Sequence, residues 1–361
     1  MKNTGAARIT SIDALRGVAV LLMMEQHIGA WMWKQPWKNL AGLLDNHPFM
    51  IGFNALGGIS APIFIVLAGF GSVMFFQKRE RASQVLAGRG ILIILMGYLF
   101  NLLVPSWFTP GSWYVLQLIG FSLVVSTLLN RVSTGSLLII FTAVIIAAGC
   151  FQAYLDTPSF INNRRMGDYS MPGGVLRLAL VEGHFPVLPW ISFFTAGMVA
   201  ARWRGQVGKR RIIVLSGLMM SAALVLSGIG MICPGSDEGG LMVRFLRLKS
   251  SFYPAYTPLT LILVSIALAL IPAAEWIESK TGPFVKNPLV CLGRISLTLL
   301  IAHAVIFREV SIRTGWHKLC NAQETVLVIG AVWLGSAVLS LLWERSGYRF
   351  GLEWLIRRIQ G

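Results

Sequence analysis

Ser11-Ile12-Asp13-Ala14-Leu15-Arg16-Gly17 opens the first apolar stretch, which continues through Val18-Ala19-Val20-Leu21-Leu22-Met23-Met24 to Glu25-Gln26-His27. The stretch has the length of a membrane span, yet Asp13, Arg16 and His27 place a carboxylate, a guanidinium and an imidazole in it. Arg16 and His27 are eleven residues apart. At about 3.6 residues per turn that is nearly a whole number of helical turns, so both face the same way, about 16 Å apart along the axis. Asp13 falls near that face. Ionisable groups at membrane depth are expensive, and a stripe of them marks a functional site by default.

The surrounding sequence has the same character. Of the 361 residues, 55% are hydrophobic and only 13% charged, against roughly 25% charged in a soluble domain. The mean hydropathy is +0.68. Ten segments approach the length of about 20 mostly apolar residues that a spanning helix needs: 12–33, 52–76, 90–108, 113–130, 134–154, 184–201, 211–232, 256–275, 288–308 and 323–343. Pro186 and Pro189 interrupt the start of the sixth and predict a broken helix. The expectation is an all-α membrane protein: a polytopic bundle of about ten transmembrane helices forming a single domain over 1–361. Its tail, 344–361, reads as an interfacial amphipathic segment. Lys2 and Arg8 before an apolar run look like a signal peptide, but no A-x-A site follows, so the run reads as a retained first helix.

The net charge of +16 does not point to nucleic acid, because the basic residues cluster between apolar spans. Lys78-Arg79-Glu80-Arg81 and Lys209-Arg210-Arg211 carry the bias expected of cytoplasmic loops. Both termini are then cytoplasmic, Arg16 lies near the inner boundary and His27 in the outer half. The longest outer loops, 155–183 and 233–255, are too short to be domains. The four cysteines show no metal-binding spacing; buried inert thiols are expected, with one outer disulfide left open.

His27 suits general-base work or acyl relay, since a neutral imidazole takes up and returns a proton near pH 7. Read alone, it is equally well a helix-to-helix hydrogen-bonding group; the Asp13/Arg16 stripe favours the base. Arg16 suits an anionic group such as phosphate, and Asp13 is placed to orient it at i, i+3. Arg294 and His303 repeat the layout nine residues apart, about two and a half turns, which on a straight helix puts them on different faces. His47 sits in an outer loop before Pro48. His184 precedes the Pro186/Pro189 break, and His317 reads as surface. Asn54 and Gln117 are membrane-depth polar groups that serve as helix glue or line a binding site. Gly57-Gly58 and Gly69/Gly71 read as close-packing positions. No P-loop, HExxH or GxSxG pattern is present.

With these residues in place, the chain resembles bacterial homologues of lysosomal heparan-α-glucosaminide N-acetyltransferase. Ser11–Gly17 with His27 resembles the opening of that family, and the Arg-x10-His spacing is shared with the broader acyltransferase-3 family. Ala61-Pro62-Ile63-Phe64-Ile65-Val66-Leu67-Ala68-Gly69, Val115-Leu116-Gln117-Leu118-Ile119-Gly120, and Phe185-Pro186-Val187-Leu188-Pro189-Trp190 through Gly197 resemble later blocks. So does Gly293-Arg294-Ile295-Ser296-Leu297 with His303. The tail Gly351-Leu352-Glu353-Trp354 is similar to a related family ending in Gly-Pro-Leu-Glu-Trp. The chain departs from the lysosomal enzyme at Lys34-Gln35-Pro36-Trp37, where that enzyme has a histidine-bearing segment. The catalytic role therefore falls on His27, with His47 in reserve.

The resemblance implies transfer of an acyl group, read as acetyl, from cytosolic acyl-CoA to an amino or hydroxyl group of an extracytoplasmic sugar or glycan. His27 and Asp13 are the expected catalytic residues. Arg16 and Arg294 are expected to hold the acetyl-CoA phosphates; His303, His47, Asn54 and Gln117 are expected at the acceptor. No metal and no nucleic acid are expected; membrane lipid is, with a homodimer left open. The expected location is a bacterial inner membrane. The competing class is a transporter or flippase of a glycan-linked or small anionic substrate, which also uses broken helices and midplane charges.

Overall fold

The computed structural model describes residues 9–34, 46–233, 240–249, 251–284 and 287–359. Among them every element is a helix, apart from an isolated bridge of Trp33 with Cys320. Besides the short helices Asn163–Met166 and Leu241–Leu246, these are, in chain order, α1 (Thr10–Met32), α2 (Pro48–Gly57), α3 (Ser60–Phe76), α4 (Ala82–Leu103), α5 (Val115–Leu129), α6 (Thr134–Tyr154) and α7 (Gly174–Glu182). There follow α8 (Val187–Arg202), α9 (Gln206–Ile232), α10 (Thr257–Thr281), α11 (Pro288–Arg294), α12 (Ser296–Thr314), α13 (Ala322–Arg345) and α14 (Leu352–Ile359). The Gln35–Trp37 departure, Asp45, Lys2, Arg8, the loop stretch 234–239 and the last two residues lie outside the described residues.

Six helices are long and apolar enough to cross a membrane: α2 with α3, α4, α6, α9, α10 and α13. The number rises to eight if the bent pairs α7/α8 and α11/α12 each make one span. The chain is thus all-helical and of multi-pass type. Two of the ten expected spans fall short on this measure. α5 has only 15 residues, and α1 carries Arg16, Glu25, Gln26 and His27, which dilute its apolar character. The broken sixth helix is present, bent by 52° between Glu182 and Val187.

The chain folds into two compact units. One comprises 65–269. There α4 and α5 approach at Gly90 and Gly120, where a Cβ on either would lie 2.4–2.5 Å from the other's carbonyl oxygen. α3 and α8 approach the same way: a Cβ on Gly69 would stand 2.0 Å from the Phe194 carbonyl. Gln117 caps α5, its Oε1 accepting from Tyr114 N at 3.1 Å while its amide donates to the Ser112 carbonyl at 3.3 Å. His184 is buried and ringed by Trp107, Phe108, Tyr114 and Tyr253.

The other unit comprises the chain up to Phe64 and 270–359. α1 is its central element and packs on α2, α11, α12 and α13. The tightest seam is with α11, where a Cβ on Gly17 would lie 2.0 Å from the Leu289 oxygen and one on Gly293 1.9 Å from the Asp13 oxygen. Only glycine lets two backbones come so close. At the other end of α1, Lys318 N donates to Trp31 O and Cys320 N to Met32 O, both at 2.9 Å. Trp333 Nε1 donates to Leu21 O at 2.9 Å, fastening α13 to the middle of α1. α14 is amphipathic as its sequence predicts, with Ile356 buried and Leu355, Arg357, Arg358 and Ile359 exposed. None of the cysteines is in a disulfide; only Cys291 is buried, whereas Cys150 and Cys233 are exposed. The expectation of uniformly buried thiols is thereby corrected: both exposed thiols lie at the C-terminal ends of helices, α6 and α9.

Candidate active site

α1 presents two polar clusters, one at each end of its Arg16–His27 face. At the N-terminal end the Asp13 side chain is almost wholly buried and meets two arginines. Arg16 Nη1 approaches Asp13 Oδ1 at 3.3 Å, and Arg294 Nε approaches Oδ2 at 3.9 Å. Arg294 also donates to Glu344 Oε1 at 3.2 Å and lies over the Tyr348 ring. Two guanidiniums and two carboxylates therefore balance where α1, α11 and α13 meet. Burying a carboxylate is tolerable only with such partners. Arg16 engages Asp13 through Nη1 and keeps 28% of its side chain exposed.

At the other end, His27 Nδ1 lies 2.8 Å from His303 Nε2, with the two ring planes within 4° of parallel. His303 Nδ1 lies 2.8 Å from the Leu299 carbonyl oxygen, one turn back on α12. A carbonyl only accepts, so Nδ1 of His303 carries a proton. In a neutral ring its Nε2 is then an acceptor. The short contact therefore has His27 Nδ1 donating, which puts the His27 lone pair on Nε2. This is the tautomer a general base at Nε2 requires, set by a second group behind it. Trp31 stacks on both rings, at 5.0 Å from His27 and 5.8 Å from His303. Arg308 lies over the Trp31 ring. In the loop after α12, burial and the charge of Arg308 hold both the His317 imidazole and the Lys318 ammonium below their ordinary pKa values.

The straight-helix expectation for Arg294 and His303 is corrected. The helix breaks at Ile295, and α11 and α12 meet at 77°. That bend sends Arg294 to Asp13 and His303 to His27, so the pair serves both ends of the α1 stripe. Asn54 is buried and spends its amide on α1, donating to Glu25 Oε1 at 3.2 Å and Gln26 O at 2.9 Å. This is the helix-pairing alternative for that residue. Gln117 is engaged with the cap of α5, as above. His47 stands before α2 with its ring edge-on to Trp33 at 5.4 Å. His317 is half-buried and not simply surface.

Sequence reasoning passed over Glu25, Trp31, Glu344 and Glu353. Glu25 is fully buried against Asn54, with its Oε2 beside the space that a Cβ on Gly57 would take. Its signal was available: a carboxylate within an apolar run, two residues before His27. Trp31 follows His27 at i+4 and was legible by spacing alone. Among the described residues no group of three or more His, Cys, Asp or Glu could hold a metal ion.

Two families match the sequence. Residues 199–360 match one described as a protein of unknown function (DUF418). Residues 8–232 match the heparan-alpha-glucosaminide N-acetyltransferase catalytic family. The two matches meet in the candidate site: His27, Asp13 and Arg16 fall in the earlier region, Arg294, His303 and Glu344 in the later. No curated protein matches the chain. Because the match over 8–232 takes in well over half of the chain, this protein belongs to the heparan-alpha-glucosaminide N-acetyltransferase catalytic family.

Proposed function

We propose that this protein is a transmembrane acetyltransferase of a bacterial inner membrane. It takes its acyl group from cytosolic acetyl-CoA and modifies an amino or hydroxyl group of an extracytoplasmic sugar or glycan. The chain acts as one domain of ten spans with both termini cytoplasmic, α1 and α5 counted among the spans. α14 lies along the cytoplasmic interface, its exposed arginines toward lipid.

The observation that carries this reading is the 2.8 Å His27–His303 bond on the same α1 face as the Arg16–Asp13–Arg294 cluster. The residues at the Arg16 end fit a phosphate-bearing group, because a guanidinium offers five donors in a fork suited to phosphate and Arg16 is partly exposed. Arg16 is the primary phosphate ligand; Arg294, shared with Glu344, is the secondary one, and Asp13 orients both. Acetyl-CoA, when bound, supplies an activated thioester.

His27 Nε2 takes the proton of the acceptor amine or hydroxyl as its nitrogen or oxygen bonds to the acyl carbon. The carbon–sulfur bond then breaks, and the thiolate recovers the proton from His27. His303 Nε2 accepts from His27 Nδ1, holds the His27 ring and its tautomer, and stabilises the imidazolium that forms in between. Trp31 covers both rings.

The test is free-CoA release from acetyl-CoA by the purified, detergent-solubilised protein, over a panel of amino sugars and glycans, beside His27→Ala. Acceptor-dependent release that the variant loses supports the reading. No release together with no CoA binding overturns it and favours transport, which has no need of CoA.

A further inference from the structure

The break that separates Arg294 from His303 is held by the far end of the chain. α12 begins without a cap from its own segment: Ile295, the residue before it, offers no side-chain hydrogen bond. The first N–H groups of a helix need partners, and here Glu353 of α14 supplies them. Its Oε1 accepts from Leu297 N at 2.6 Å and from Thr298 N at 3.2 Å. Its Oε2 accepts from Thr298 Oγ1 at 2.6 Å, and that hydroxyl accepts in turn from Leu352 N at 2.9 Å. The arrangement is a reciprocal cap like the capping box, but closed between helices 55 residues apart. A carboxylate there also meets the positive end of the helix dipole.

We infer that Glu353 is a positioning residue for the His27–His303 pair, the tail helix bracing α12 at the angle that presents His303 to His27. α11, on one side of the break, is pinned by the Gly293–Asp13 backbone contact and the Arg294 ion pairs. α12, on the other side, carries His303 less than two turns beyond Thr298, so a turn of its first residues swings the imidazole directly. The acceptor of His303 Nδ1, Leu299 O, lies in the turn that Glu353 caps. The lock is therefore continuous from Glu353 through Leu297–Leu299 to His303 and His27. This rests on the proposed base role of His27 for its catalytic consequence, though not for its structural one.

The experiment compares wild type with Glu353→Gln and Glu353→Ala as full-length, detergent-solubilised proteins. Gln keeps an acceptor for the two backbone N–H groups; Ala keeps none. The first readout is the nitrogen-15 NMR signature of the imidazoles, assigned with His27→Gln and His303→Gln, which reports tautomers without any acceptor. The expected result is fixed Nδ1–H tautomers for His27 and His303 in wild type, averaged tautomers in Glu353→Ala, and recovery toward wild type in Glu353→Gln. The second readout is turnover: kcat falls about ten- to a hundredfold in Glu353→Ala, the scale of a misplaced catalytic group, with KM for acetyl-CoA held. Ser133→Ala, which removes the N-cap of α6, controls for general loss of stability and leaves both readouts at wild-type values.

Unchanged His27 and His303 tautomers in Glu353→Ala overturn the inference, as does an equal shift in Ser133→Ala. If wild type shows no acyl transfer while the tautomers respond as expected, the acetyltransferase reading fails and the brace stands.

Discussion

His27 and His303, 276 residues apart in sequence, are joined by a 2.8 Å hydrogen bond between His27 Nδ1 and His303 Nε2. The Leu299 carbonyl behind His303 makes this bond directional and places the His27 lone pair on Nε2. Imidazole thus orients imidazole, in the place where a carboxylate would more often stand. A neutral partner fixes the tautomer without adding a buried negative charge that an apolar bundle would have to balance.

The directional bond predicts unequal but coupled losses. His27→Ala lowers acceptor-dependent kcat by about 10²–10⁴-fold, the range for a positioned general base. His303→Ala costs less, because the base remains while its tautomer is released. The double variant is little worse than His27→Ala, since groups acting as a unit are not additive. A double-mutant cycle on kcat checks this; strictly additive effects would show that the two rings work separately.

Asp13 and Arg16 are expected to move coenzyme binding in opposite directions. Arg16→Ala weakens CoA binding by about tenfold or more, consistent with loss of a charge-assisted hydrogen bond of about 1.5–3 kcal/mol, and flattens its salt dependence. Asp13→Asn removes a negative charge shared by two arginines, so CoA binds at least as tightly. It also lowers thermal stability, because breaking a buried pair costs about 3–5 kcal/mol. Calorimetric titration of CoA at two salt concentrations, beside a melting curve for each variant, separates the effects. Unchanged CoA binding in Arg16→Ala would remove Arg16 as a phosphate ligand.

The α1–α11 seam tolerates no side chain. A Cβ on Gly17 or Gly293 would press on a backbone carbonyl, at 2.0 Å and 1.9 Å, and backbone cannot rotate away as a side-chain tip can. Gly17→Ala and Gly293→Ala therefore destabilise by about 1–3 kcal/mol or more and disturb the Arg16–Asp13–Arg294 cluster at the same place. Gly330→Ala, with nothing within 4 Å of its new Cβ, is neutral or stabilising by up to about 1 kcal/mol, as expected for a helix interior. Melting temperatures in detergent give the contrast; equal behaviour of the three variants would refute the close approach.

The all-helical membrane character was legible because 20-residue apolar runs have few other uses, and the α1 stripe was legible because a single regular helix sets its geometry. The Asp13–Arg16 pair and the common side of Arg16 and His27 needed only the period of 3.6. The partners were not legible. Ile295 carries no proline or glycine to announce a break, so Arg294 and His303 seemed to point apart on one straight helix. The cap that stabilises the break lies 55 residues later, in Glu353, beyond the reach of any local pattern. Asn54 could be read either way, because a buried amide looks the same in sequence whether it faces a substrate or the carbonyls of α1.

The side of the membrane on which the histidine pair opens can be read from one cysteine. Cys320 N donates to Met32 O, and Lys34 N donates to Cys320 O, both at 2.9 Å. Cys320 therefore sits at the same end of α1 as Trp31 and His27, and its accessibility reports that end. The proposed orientation, with both termini cytoplasmic, expects that end outside. A variant keeping only Cys320 should react with a membrane-impermeant maleimide in intact cells. One keeping only Cys291, buried beside Arg294 on α11, should react only after denaturation. Labelling of Cys320 confined to inside-out vesicles would turn α1 over. It would put His27 on the cytosolic side and remove the extracytoplasmic acceptor, leaving a transfer that has no need to cross the bilayer.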